Sequence, residues 1–184
     1  MTIKISHFIG ISFAALLLLN SCKKTPLEQM ISTELARGVR VDTLFQGLKF
    51  GMKNQEFRDL CTEKNKQQLF TNNGLRMEVE YKTDELGAKA SMTFMPEFKN
   101  DKIVVVPVSI HYDTWASWNK DKSSDSLLVR VLPMLERWHG GIFTPIETPT
   151  KTKAWVRVDG NRLIIVSKKD ERIVSVLYKD MAAE

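Results

Sequence analysis

Residues 75–82 set Leu75, Met77, Val79 and Tyr81 alternately against Arg76, Glu78, Glu80 and Lys82. A period of two sends successive side chains to opposite faces of a strand, so this run needs a sheet with one buried and one wet face. Residues 90–95, ended by Pro96, and residues 103–112 read as two more strands, with Asn100-Asp101 turning between them. Pro107 lies inside the last of these and favours an edge or a bulge, because it cannot donate to a ladder. Near the end of the chain, 154–158 and 163–167 flank Asp159-Gly160-Asn161, a hairpin signal. Lys169-Asp170-Glu171 then turns into a final strand, 173–178.

Between the strands the period changes to that of a helix. Leu27, Met30, Ile31 and Leu35 recur at helical spacing, with Pro26 acceptable at the start and Gly38 at the end. Residues 54–68 place Phe57, Leu60 and Cys61 on one face, although Lys53 stands where a capping box wants Ser or Thr. Asn72-Asn73-Gly74 then signals a turn. Leu127, Leu128, Val131, Leu132, Leu135 and Trp138 form a broad apolar stripe, opened by Ser123 or Ser124 and stopped by Gly140-Gly141. Pro133 should kink or divide that helix. Residues 142–153, with Pro145 and Pro149, read as a loop. The expected fold class is α+β, with helices packed on one face of an antiparallel sheet. The order helix, three strands, helix, three strands also allows a tandem α-β-β-β repeat with halves 41–113 and 114–184.

The N-terminus reads as an address. Lys4 supplies a positive charge, residues 8–19 are apolar, and Asn20-Ser21 precede Cys22. A dozen apolar residues cannot span a hydrocarbon core of ~30 Å. Leu19-Asn20-Ser21-Cys22 resembles the lipobox of bacterial lipoproteins, which implies a signal peptide over 1–21 and a mature chain beginning at Cys22. That resemblance further implies a diacylglycerol on the thiol and an acyl chain such as palmitate on the new amine. Two or more acyl chains anchor stably where one does not. No aspartate follows the cysteine and no acidic run follows it either, so the expected location is the periplasmic face of the outer membrane. Residues 22–40 then form a lipidated tether with a short helix, and 41–184 a single α+β domain. Removing the first 21 of 184 residues leaves 163, enough for one core. The formal charge of +5 is scattered along the chain. With an envelope address it argues against a nucleic-acid partner.

The usual chemical motifs are missing. His111 and His139 sit near no cysteine pair and in no zinc-binding spacing, so no metal site is expected. No glycine-rich phosphate loop occurs and no cofactor is expected. Ser117-Trp118-Asn119-Lys120 matches the S-x-x-K spacing of penicillin-recognising enzymes. Ser124-Asp125-Ser126 follows too closely to complete that pattern, and Lys151-Thr152-Lys153 lacks its glycine. Cys61, alone once Cys22 carries lipid, reads as a small buried hydrophobe.

One local cluster has binding character. Tyr112, Trp115, Trp118 and Asn119 fall within eight residues, beside Asp113 and Lys120. If exposed, such aromatics stack on sugars or anchor a protein partner; if buried, they cover the sheet edge. The expected function is a non-catalytic protein- or glycan-binding module of the envelope. The alternative is a periplasmic enzyme with a carboxylate site drawn from Glu97, Asp113 and Glu80. Gly51-Met52-Lys53-Asn54-Gln55-Glu56-Phe57 resembles the helix entry of the small BamE-type (SmpA) lipoproteins of outer-membrane β-barrel assembly. That resemblance implies a helical pair followed by a three-stranded sheet over residues 45–112. A tandem version would approach the β-lactamase-inhibitor-protein fold. No functional residue transfers with it.

Overall fold

A computed structural model describes residues 24–73, 78–148 and 150–183. Cys22, Gly74, Leu75, Arg76, Met77 and Pro149 lie outside the described residues. The first helix, α1 (Pro26–Ala36), is capped by Thr25. Its hydroxyl accepts from the Glu28 amide, and the Glu28 carboxylate accepts from the Thr25 amide. In α2 (Asn54–Lys66), Glu56 accepts from the Lys53 amide at 2.7 Å. The reciprocal half of that box is missing, because an ammonium group cannot accept.

Among the described residues there are nine antiparallel strands, five before the third helix and four after it. They are β1 (Phe70–Asn73), β2 (Glu78–Thr83), β3 (Ala90–Phe94), β4 (Glu97–Lys99), β5 (Lys102–Tyr112), β6 (Thr144–Glu147), β7 (Lys153–Asp159), β8 (Arg162–Lys168) and β9 (Val174–Asp180). The helix α3 (Ser124–His139) stands between β5 and β6. In space the order is β1-β2-β3-β5-β9-β8-β7-β6, with β4 also paired to β5. The chain is therefore α+β, with helices against an antiparallel sheet. With the strands before α3 (β1–β5) taken as one half of the sheet and those after it (β6–β9) as the other, the halves meet where β5 pairs with β9.

The register explains the alternation. One row across the sheet reads Val79, Phe94, Val108, Val176, Val166 and Trp155, all facing α2 and α3. The parallel row on the opposite face reads Glu80, Thr93, Ser109, Ser175 and Ser167. Side chains such as Ile110, Val166 and Val176 are fully buried, and each contributes about 1.5–3 kcal/mol. The segment 41–52 fills the space between helices and sheet with Leu44, Phe45, Leu48 and Phe50. Phe45 touches Phe94 of the first half and Trp138 and Tyr178 of the second. In contrast, α1 lies against β7, beside Val158.

Four expectations change. Asn72 and Asn73 belong to β1, not to a turn, and the alternating strand is defined only from Glu78. Residues 144–147, read as loop, form the edge strand β6. The strands before α3 thus number five, with β1 and β4 added to the three expected, and those after it four, with β6 added. Pro107 sits in a central strand, not at an edge; it pairs with Leu177 on one side and faces the interruption between β3 and β4 on the other. That gap absorbs its missing donor. Pro133 does not divide α3, which runs through it from Ser124 to His139. The ring lies on the exposed face, where water can serve the carbonyl it strands.

Candidate functional site

The aromatic cluster begins where β5 ends, and parity along that strand separates its members. Val106, Val108, Ile110 and Tyr112 share the helix-facing side and are all buried. Tyr112 is 1% exposed, and its hydroxyl donates to the Leu86 carbonyl at 3.2 Å. Burial raises its phenol above the ordinary range. The Lys122 ammonium lies 4.7 Å from the ring centroid. Tyr112 is therefore a core residue that closes the base of the loop, and does not belong to a binding surface as expected.

The loop beyond it is braced. The Asp113 amide donates to the Lys89 carbonyl, and its carboxylate accepts from Ser91 at 2.7 Å. The Asn119 amide donates to the Ala116 carbonyl, and the Lys122 amide to that of Asn119. A 3-10 turn, Lys120–Lys122, leads into α3. Ser123 stands at the N-cap position, but its hydroxyl turns back to the Lys120 carbonyl and leaves the first turn uncapped by a side chain. Ser124 donates through its amide to the Glu171 carbonyl and through its hydroxyl to that of Asp170. These two bonds clip the loop to the β8–β9 turn. From that turn Arg172 reaches over Trp115, with its guanidinium carbon 5.9 Å from the ring centroid.

On this frame Trp118 is 85% exposed. Trp115 is half-buried and walls a cavity of about 100 Å³ with Ala116, Ser117, Asn119, Lys120 and Glu171 among its lining. The structure thus brings Trp115 and Asn119 to one small site, with Trp118 on the same turn, and takes Tyr112 away. Ser117 and Lys120 were visible as sequence neighbours; Glu171 could not be, because only the clip at Ser124 brings its turn here.

The three carboxylates of the enzymatic alternative do not line this cavity or the larger ones beside Arg40, Met30 and Val129. Glu80 is paired in register with Thr93, and Glu97 lies four residues further along that line, roughly 13 Å away at strand spacing. Asp113 is engaged by Ser91. His111, on the sheet face opposite the helices, is held below the ordinary histidine range by burial and then by Arg172. No helix among the described residues is long and apolar enough to cross a membrane. No cluster of three metal-ligating side chains occurs among them.

A second polar group is buried under the end of α3. Arg162, 3% exposed, donates to the Thr43 carbonyl at 2.6 Å, to Asp159 at 2.9 Å and to Nδ1 of His139 at 3.2 Å. A guanidinium can only donate, so Nδ1 accepts and the proton of the neutral ring sits on Nε2, 3.0 Å from the Tyr178 hydroxyl. Burial, then the Arg162 and Arg157 charges, push His139 down to about 4. Burial also raises the Tyr178 phenol strongly. These residues tie α3, β8, β9 and the segment at Thr43 together and line none of the cavities named above. Cys61, half-buried against the core, has its thiol pushed up to about 11 by burial, which makes it inert rather than nucleophilic.

Comparison with known proteins adds no relative. No protein-family model matches the chain, and neither a curated protein nor a solved structure matches it.

Proposed function

We propose that this chain is a lipid-anchored module of the bacterial outer membrane, on its periplasmic face, which binds an envelope protein or glycan through the loop carrying Trp115, Trp118 and Asn119. The observation that carries the reading is Trp118, 85% exposed at the tip of a hydrogen-bonded turn. A large aromatic in water on a braced backbone is poised to bury its surface against a partner at little ordering cost. The address rests on the Cys22 lipobox and the apolar run before it. No observation favours a catalytic site built from Glu80, Glu97 and Asp113. The likeness of residues 51–57 to the BamE-type helix entry agrees with an envelope role and assigns no partner.

The test uses a photo-reactive phenylalanine analogue in place of exposed Asp121, in cells. Cross-linked adducts are expected with the natural loop and are expected to vanish with Trp118→Ala. Equal adducts in both chains would remove the loop from binding. For the anchor, Cys22→Ser is expected to abolish palmitate labelling and release the chain from membranes; retention of label would refute lipidation at that position.

A further inference from the structure

The cavity beside Trp115 has a chemical character narrower than "protein or glycan". We propose that it is a subsite for one neutral sugar ring of an envelope glycan, a deepening that rests on the binding-loop reading above. The Ser117 hydroxyl, the Asn119 amide, the Lys120 ammonium and the Glu171 carboxylate belong to residues lining one space of about 100 Å³. None of the four makes a side-chain hydrogen bond with any described residue. The remaining polar groups of the lining are engaged: Ser123 donates to the Lys120 carbonyl, and Asp125 is paired with Lys168.

A ligand that fits must therefore supply both donors and acceptors. Ring hydroxyls do both, and they pair with amide, hydroxyl, ammonium and carboxylate alike. An apolar side chain would strip water from four polar groups and return nothing, which is unfavourable. Lys120 and Glu171 carry opposite charges, and Asp125 is already balanced by Lys168. The near-cancellation of these charges selects a neutral ligand. Trp115 supplies the apolar wall against which the C–H face of a sugar ring packs. Trp118, exposed on the same turn, offers a second platform for a neighbouring ring.

Titration calorimetry of the full chain in detergent, with three soluble probes, tests this. The probes are oligomers of N-acetylglucosamine, oligomers of glucose and oligomers of galacturonic acid. One or both neutral oligomers are expected to bind and the acidic one not. Trp118→Ala and Asn119→Ala, both at solvent-accessible positions, are each expected to weaken binding roughly tenfold or more. Absence of neutral binding, preference for the acidic oligomer, or unchanged affinity in both variants overturns the proposal. A blank sugar panel alongside Trp118-dependent cross-links to a protein sinks the sugar subsite and leaves the binding-loop reading standing. A blank panel with no such cross-links sinks both.

Discussion

Tyr112 and Trp118 are six positions apart and differ in burial, 1% against 85% exposed. Trp118→Ala removes a side chain that is 85% exposed, so thermal unfolding should change by no more than about 0.5 kcal/mol. Tyr112→Phe should cost about 1 kcal/mol, because the Leu86 carbonyl loses its buried donor. The place of Tyr112 was legible: it continues the even-numbered apolar set of β5. The exposure of Trp118 was not, since no period governs a loop. His139 gives the pH dependence. Its pKa in the fold is about 4 against 6.5 when unfolded, so the unfolded chain binds the extra proton. Its contribution is complete above pH 6.5 and is lost as pH falls towards 4, at most on the order of 3 kcal/mol. Melting temperature measured across that window should fall with acid, and His139→Gln should flatten the slope while keeping an acceptor for Arg162.

At the scale of elements, the departures from expectation have local causes. The edge strands β1 and β6 are four residues each, too short to display alternation, and β6 carries Pro145, which an edge tolerates. In α3 the buried stripe of Leu127, Leu128, Val131, Met134 and Leu135 outweighs a proline that a solvent-facing position can carry. Pro133→Ala restores an amide to the Val129 carbonyl and should stabilise the protein by about 1–3 kcal/mol in chemical denaturation. The β7–β8 turn has no such tolerance. Gly160 has φ +57°, and a Cβ there would overlap the Val39 carbonyl, so Gly160→Ala should destabilise by about 2 kcal/mol or more by the same measurement. The glycine of that hairpin was evident from Asp159-Gly160-Asn161; the backbone lying over it was not.

For the whole molecule, the meeting of two meanders at β5 and β9 has a mechanical consequence. Neither half is closed by itself. Removing residues 114–184 would bare the β9-facing edge of β5 and leave Phe45 without Trp138 and Tyr178. A chain ending at residue 113 should therefore fail to give a cooperative unfolding transition, and should self-associate through the bared strand in size-exclusion chromatography. A compact, cooperatively folded fragment would show the halves to be independent. The same closure joins distant residues into one network: Arg162 reaches Thr43, and Asn161 accepts from the Val41 amide and donates to Asp180.

The sequence by itself determined the fold class, the helices and most of the strands. These follow from periods of two and 3.6 and from local punctuation, which act within a dozen residues. Only the tertiary structure decided that β5 is central, that Trp118 stands in water, and that Glu171 joins Asn119 beside Trp115. Those outcomes depend on which strand pairs with which, and pairing joins residues whose separation along the chain leaves no trace in local pattern.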